Sequence, residues 1–294
     1  MDTVFYHKPV MIDEVDAYLI TQQSGYYVDC TFGGGGHSSF LLNKYPNIKI
    51  IGFDQDLDSF KFFNENKNIQ KDRVIFCNTN FRNILSELKR LNISKINGIF
   101  ADLGVSSKQF DNKQRGFSFN SDAVLDMRMN QNQKLSAYDI INTFNYEKLA
   151  ELFFDYGEES FSRQIAKKIV EERVKYDIKT CNQLHNIILS VKWKKGKIDP
   201  ATKVFQALRI YVNDELGSLK ELLNAIPQIL ENNARSVFLT YHSLEDRIVK
   251  TAFKEFNKQG LKIINKKVIT ASPEEIKQNP RSRSAKMRVL EKQR

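Results

Sequence analysis

Residues 33–36 are four consecutive glycines, set between the apolar run "VDCTF" and a segment of helical length. A strand that runs into a glycine-rich turn and then a helix lets backbone approach a ligand closely and exposes the N–H groups of the helix start. Asp54 ends the next apolar run, at the spacing where an acid in such folds accepts hydrogen bonds from ribose hydroxyls. Its alternative role is the N-cap of the following helix. The pair points to a nucleoside-containing cofactor. A pyrophosphate-binding G-x-G-x-x-G would need glycine where the chain has Ser38 or Ser39. Asp29 is an awkward neighbour for a doubly anionic pyrophosphate and a natural one for an ammonium and a sulfonium. The pattern therefore favours S-adenosylmethionine, whose chemistry is in-line methyl transfer, needing a well-held nucleophile and no metal.

The surrounding elements can position such a site. "GYYVDCTF", "IKIIGFD" (48–54), "DRVIFCN" (72–78) and "INGIFADL" (96–103) have the length of buried strands and alternate with helix-length segments at 37–44, 57–67 and 82–91. This rhythm predicts an α/β fold with a mostly parallel sheet and helices on both faces. Asp102 and the serines of "ADLGVSS" then lie at the carboxyl edge of the sheet, in the crevice where such folds bind ligands. From 109 to 213 no strand-like run appears. Helical patterns occupy "NYEKLAELFFDYG", "EESFSRQIAKKIVEERVKY", "CNQLHNIILSVKW" and the stretch from Pro200 through "ATKVFQALRIYVNDEL". In the second, Phe161, Ile165, Ile169 and Val174 predict one apolar stripe. The sheet pattern resumes with "ARSVFLTYH" (234–242), a helix around 245–257, "GLKIINKKVIT" and "KMRVLEK". The link between the last two is too short for a parallel crossover, which predicts antiparallel pairing. The expected organisation is a sheet domain in two parts, 1–108 and 214–294, interrupted by an all-helical domain at 109–213.

The 294 residues carry a formal charge of +10 and are 41% hydrophobic, enough to fill a sizeable core. Seven basic residues against the single acid Glu291 give residues 277–294 a charge of +6, and "KWKKGK" (192–197) is a second basic cluster. Such runs are often only solvated surface, yet two of them in a basic chain favour a nucleic-acid partner. No apolar run approaches the length of a bilayer span, and the first residues mix acids with a proline, so a cytoplasmic location and no membrane partner are expected. Cys30, Cys77 and Cys181 form no C-x-x-C pair, so neither zinc nor a dithiol is implied. Nothing in the sequence specifies an oligomeric state.

The chain resembles the RsmH (MraW) methyltransferases, which methylate the N4 amine of a cytidine in the decoding region of 16S rRNA. The resemblance rests on "HKPVM", "VDCTFGGGGHS", "IGFDQD", "ADLGVSSKQFD", "RGFSF", "LDMRM", "YGEE", "PATKVFQALRIYVNDEL", "YHSLEDRIVK" and "NPRSRSAKMRVLEK". It implies a class I methyltransferase (Rossmann-like) sheet with an inserted helical domain. It also implies cofactor contact by Gly35, Gly36, His37, Asp54, Phe81, Asp102 and Gln109, and a target in an assembled or nearly assembled 30S subunit. Three departures stand out, one of them the short link between the last helix and "NPRSRS". "LENNARS" lacks the family's Pro-Gly-Gly turn, and Ile198-Asp199 replaces a Lys/His-type pair before "PAT".

A cytosine amine is a poor nucleophile because its lone pair is delocalised into the ring, so an acceptor for its N–H groups promotes the transfer. Asp102 is the candidate, with Ser106 second; the alternatives are a role for Asp102 toward the cofactor only and a turn-capping role for Ser106. His242 and Asp246 are candidates for the target side, against structural roles in satisfying a backbone carbonyl and in pairing with Lys250. His7 and His185 read as structural. A base embedded in RNA must be single-stranded or extruded to react. Arg115, Phe117 and Phe119 are candidates to hold it, although F-x-F also suits a strand on a core. Lys194, Lys195, Arg281, Arg283 and Lys286 are candidates to track phosphates. A nucleotide-dependent dehydrogenase leaves the basic tail idle, and a non-catalytic RNA-binding module leaves the glycine loop unexplained. A DNA cytosine-N4 methyltransferase keeps the chemistry and changes the polymer.

Overall fold

The computed structural model describes residues 9–106, 109–110, 112–193 and 198–293. The chain divides into two compact units, one made of Met1–Gly104 with Leu216–Arg294 and the other of Val105–Glu215. The breaks expected from sequence were 108/109 and 213/214.

The first unit is built on one sheet of eight strands: β1 (Ser24–Asp29), β2 (Asn47–Phe53), β3 (Val74–Cys77), β4 (Ile96–Asp102), β5 (Leu230–Thr240), β6 (Leu261–Ile263), β7 (Ile269–Thr270) and β8 (Lys286–Lys292). Its order is β3-β2-β1-β4-β5-β8-β6, with β7 also paired to β8. The first five strands pair in parallel, and β8 runs antiparallel to β5, β6 and β7. The basic C-terminal run is thus an interior strand and not a loose tail. The link before it holds a short helix, α12 (Pro273–Gln278), and a 3-10 turn (Pro280–Ser284).

Alternation along the strands sends successive side chains to opposite faces. Ile99, Ala101 and Phe238 enter a core with α4 (Ile84–Arg90), α10 (Glu215–Ile229) and α11 (Ser243–Lys258). Phe100, Val237 and Leu239 enter a second core with α1 (Ile12–Leu19), α2 (Gly36–Lys44) and α3 (Leu57–Glu65). Where "LENNARS" departs from the family's turn, α10 passes directly into β5, Asn233 takes a left-handed φ of 62°, and the pairing with β4 slips between Ile96 and Gly98. Asparagine tolerates that conformation better than most residues, so the chain makes the bend without glycine.

The second unit contains α5 (Ala137–Thr143), α6 (Tyr146–Gly157), α7 (Ser162–Arg173), α8 (Cys181–Val191) and α9 (Thr202–Asn213) around a single apolar core. Among its described residues the only β pairing is an isolated bridge between Val124 and Thr180. Helix α5 was not foreseen; its start is fixed by a capping box between Ser136 and Asp139. The expected apolar stripe on α7 is shorter than the sequence suggests. Ile165 and Ile169 are buried, whereas Phe161 and Val174 cap the two ends and are exposed. The Asp199 departure has a local partner: its Oδ1 lies 3.0 Å from His185 Nε2 and accepts the Ala201 N–H at 2.9 Å. His185 also stacks on Phe119, in keeping with a structural role.

Candidate functional site

The glycine loop leaves β1 and is pinned on several sides. Phe32 N–H donates to Phe53 O at 2.9 Å, and Gly33 N–H donates to Asp54 Oδ2 at 2.8 Å. Gly33 and Gly35 have φ of 52° and 71°, in the left-handed region that side chains resist. A Cβ on Gly36 would come within 2.6 Å of Pro9 Cγ, and one on Gly35 within 2.9 Å of the Phe32 ring. A Cβ on Gly34 would meet nothing nearer than Phe62, at 3.8 Å. Gly33, Gly35 and Gly36 are therefore glycine for the fold, and Gly34 is not.

Three aspartates lie at the carboxyl ends of neighbouring parallel strands. Asp29 is 1% exposed and accepts from Ser38 Oγ at 2.6 Å and from Thr31 N–H at 3.0 Å. Its carboxyl is held by the loop and α2, which makes it a fastener of the turn. Asp54 accepts from Asp56 N–H at 2.8 Å through Oδ1, in addition to Gly33. The N-cap of α3 is Asp56, not Asp54. Burial pushes both Asp29 and Asp54 up to about 6, against the hydrogen bonds that favour their charged forms. Asp102 donates its N–H to Thr31 Oγ1 at 2.8 Å and accepts from Tyr241 Oη at 2.5 Å through Oδ1. Burial raises its pKa above the usual carboxylate range, opposed by His37 and by the Tyr241 hydrogen bond.

The His37 ring is buried, with Nε2 donating to Val10 O at 2.9 Å, so its side chain ties the N-terminal segment to α2. Phe81 opens a 3-10 turn (Phe81–Asn83) after β3 and is half-buried. Asn80, just before it, donates to Gln55 Oε1 at 3.1 Å, joining this turn to the one after β2.

On β5 the strand end continues into Tyr241 and His242. His242 is the N-cap of α11, in a capping box with Glu245. Glu245 is buried and accepts from Tyr241 N–H at 2.8 Å and from His242 N–H at 3.4 Å. Asp246 pairs with Arg288 of β8 at 2.7 and 3.1 Å, which corrects the expected partner Lys250 and gives Asp246 a structural role.

The basic candidates divide. Arg281 and Arg283 are exposed on the 3-10 turn that leads into β8, and Lys286 is half-buried at its start. Thr240 pairs with Lys286, so the antiparallel course of β8 brings these three to the same sheet edge as Asp102 and His242. Arg288 is committed to Asp246, and Lys292 Nζ donates to Pro227 O and Leu230 O at 3.0 Å. Lys194 and Lys195 lie outside the described residues.

In the second unit, Ser106 and Gln109 bind each other: Gln109 Oε1 accepts from Ser106 N–H at 3.0 Å and Ser106 Oγ from Gln109 N–H at 3.2 Å. Ser106 thus makes the turn-capping contact set against its catalytic role in the sequence. Arg115 and Phe117 differ from their expected role as base-holding groups. Arg115 is buried and donates to Arg128 O at 2.8 Å and Met129 O at 3.2 Å. Phe117 is 7% exposed in the unit's core. Neither offers a free surface to a base, because each is buried within its own unit. Lys192 of the second basic cluster is likewise bonded to the fully buried Glu159 at 2.6 Å.

Sequence reasoning missed Tyr241, Glu245, Thr31 and Asp56. The H-x-x-E spacing of His242 and Glu245 is a capping box in disguise, since histidine is not among the favoured N-cap residues.

The chain matches the model of the MraW methylase family over residues 4–293. It is 52% identical to the ribosomal RNA small subunit methyltransferase H of Endomicrobium trichonymphae, over 98% of this chain and 99% of that one. The proteins of the same name from Oceanobacillus iheyensis and Clostridioides difficile are 43% and 42% identical, over 98% of this chain and 95% and 99% of theirs. A match of this length, with relatives at 42–52% identity over nearly the whole chain, places the chain in the MraW methylase family.

Proposed function

We propose that the protein is an S-adenosylmethionine-dependent methyltransferase acting on the N4 amine of a cytidine in the decoding region of small-subunit rRNA, within an assembled or nearly assembled 30S subunit. The observation that carries this reading is the sheet edge itself. A glycine loop fastened by Asp54 stands beside Asp102, whose carboxylate has one oxygen taken by Tyr241.

The residues present fit the cofactor. Closely packed backbone at Gly35 and Gly36, and N–H groups at the start of α2, suit its amino-acid end, while Asp54 keeps accepting capacity for ribose hydroxyls. Phe81 supplies an apolar face for the adenine. Gln109 remains a proposed cofactor contact and Ser106 a proposed second polar group toward the amine. When bound, S-adenosylmethionine supplies an activated methyl group. Asp102 accepts an N–H of the target amine, which localises the nitrogen lone pair and takes up positive charge as it develops. Arg281, Arg283 and Lys286 bind phosphates of the RNA on the same edge. Cys30, Cys77 and Cys181 are free thiols, and no helix of the described residues is long and apolar enough to cross a membrane. Both fit the cytoplasmic location we propose.

The test is transfer of labelled methyl to small subunits, naked rRNA, tRNA and duplex DNA, followed by nucleoside mass spectrometry. N4-methylcytidine from small subunits alone is the expected result. Label in duplex DNA would make this a DNA methyltransferase, and no label with tight nicotinamide binding would make it a dehydrogenase.

A further inference from the structure

Residues 9–11 lie as a strap on the first turn of α2, the turn that follows the glycine loop. Pro9 Cγ packs so closely on Gly36 that a Cβ there would stand 2.6 Å from it, and Val10 O accepts from His37 Nε2 at 2.9 Å. Met11 is fully buried and left-handed, with φ 51° and ψ 42°. That backbone is costly for a methionine, and strain of this kind persists only where the surroundings hold it. No side chain caps α1 at this point. The pin on the Met11 backbone comes from a residue 264 positions away: its N–H donates to Glu275 Oε1 at 2.7 Å. Glu275 stands on α12, and Ile276 beside it packs on the same apolar core as Val10 and Met11. The Glu275 charge is also felt at Tyr241, the partner of Asp102. Burial raises the Tyr241 hydroxyl pKa, and Asp102, Glu245 and Glu275 add to the rise.

We infer that Glu275 is a positioning residue for the cofactor: by pinning Met11 it keeps the strap of residues 9–11 against α2 and so holds the glycine loop in its binding shape. The inference rests on the proposed function for the identity of the cofactor, and assigns a residue that acts through the strap. Without the bond Met11 relaxes out of the left-handed region, Pro9 and Val10 loosen from the first turn of α2, and the loop has to be reordered at the expense of cofactor affinity. Once the cofactor is bound the loop is in place, so the chemical step at Asp102 keeps its rate. The strap needs an acceptor oxygen at this position, not a charge.

The test compares Glu275→Ala with Glu275→Gln, which keeps an acceptor oxygen at the same reach and removes the charge. Glu275→Ala should raise the KM and Kd for S-adenosylmethionine by about tenfold, the scale of one hydrogen bond to a charged group, with kcat and the KM for small subunits within about twofold of the parent. Glu275→Gln should restore the cofactor KM to within about twofold of the parent. Hydrogen exchange of the Met11 amide gives a second readout: it should slow severalfold when the parent binds S-adenosylmethionine, and be fast in ligand-free Glu275→Ala. Parental cofactor affinity in Glu275→Ala overturns the inference. So does an equal loss in Glu275→Gln, which would make the charge the cause, or a fall in kcat with the cofactor KM unchanged. Met11 exchange that ignores the cofactor in the parent overturns it as well, and decides the matter should Glu275→Ala fold poorly. If the parent binds no S-adenosylmethionine, the proposed function itself fails, an outcome separate from these.

Discussion

The Tyr241 hydroxyl donates to Asp102 Oδ1 at 2.5 Å, bridging the ends of two neighbouring parallel strands. Burial raises the carboxyl's pKa, His37 and the Tyr241 bond lower it, and Glu245 adds a smaller upward push. A base must be ionised to accept a proton, so activity should rise with pH through the Asp102 ionisation. Tyr241→Phe removes a group that favours the charged form, and should move the acid limb of kcat/KM to higher pH while leaving the plateau within severalfold. Asp102→Asn should lose roughly 100-fold or more at every pH, the usual scale of a general base. An unmoved acid limb in Tyr241→Phe would assign that limb to another group.

Asp29 and Asp54 should make the ligand-free protein less stable as pH rises. Each is raised from 3.8 to about 6 in the folded chain. Between those values the folded state binds more protons than the unfolded one, so their favourable contribution is present near pH 4 and is lost as pH climbs through about 6. Asp29→Asn should show a shallower fall in Tm from pH 4.5 to 6.5 than the parent. A cationic ligand reverses the balance by favouring both carboxylates, so S-adenosylmethionine affinity measured by calorimetry should increase across the same window.

The glycines should separate folding from binding. Gly36→Ala places a methyl 2.6 Å from Pro9 Cγ and should destabilise by roughly 1–3 kcal/mol, the cost of overpacking. Gly34→Ala has its nearest neighbour at 3.8 Å and should keep the parental Tm within about 2 °C. A loss of cofactor affinity in Gly34→Ala without a change in Tm would mark that residue as bare for the ligand's sake.

Two arginines seven residues apart should behave as opposites. Arg281→Gln should weaken small-subunit binding and reduce the salt slope by about 1, as expected for one lost phosphate contact. Arg288→Gln strands the Asp246 carboxylate and should lower Tm while leaving the salt slope unchanged. Equal salt slopes in Arg281→Gln and the parent would remove Arg281 from the RNA surface.

The parallel sheet was legible because each strand is a compact apolar run and each glycine or aspartate at its end is local in sequence. The antiparallel β8 was legible from the short link alone. Helix α5 was hidden because its signal is a polar capping box in a stretch dominated by loop residues. Arg115 and Phe117 were misread for a related reason: arginine beside aromatics looks the same whether it faces RNA or a carbonyl of its own chain, as at Arg128 O. The Arg288 partnership with Asp246 joins residues 42 apart, beyond any helical spacing rule. Tyr241 became visible only when the sheet order set β5 beside β4.

That pairing of β4 with β5 also orders events during synthesis. Asp102 meets Leu239 across the entire second unit, Val105–Glu215, which leaves the ribosome between them. The inner unit has its own core and can close first. Until β5 follows, β4 offers an open, apolar strand edge, the kind of surface on which nascent chains aggregate. The interrupted unit is therefore the one at risk while the chain is being made, and chaperone demand should peak before residue 240 is translated.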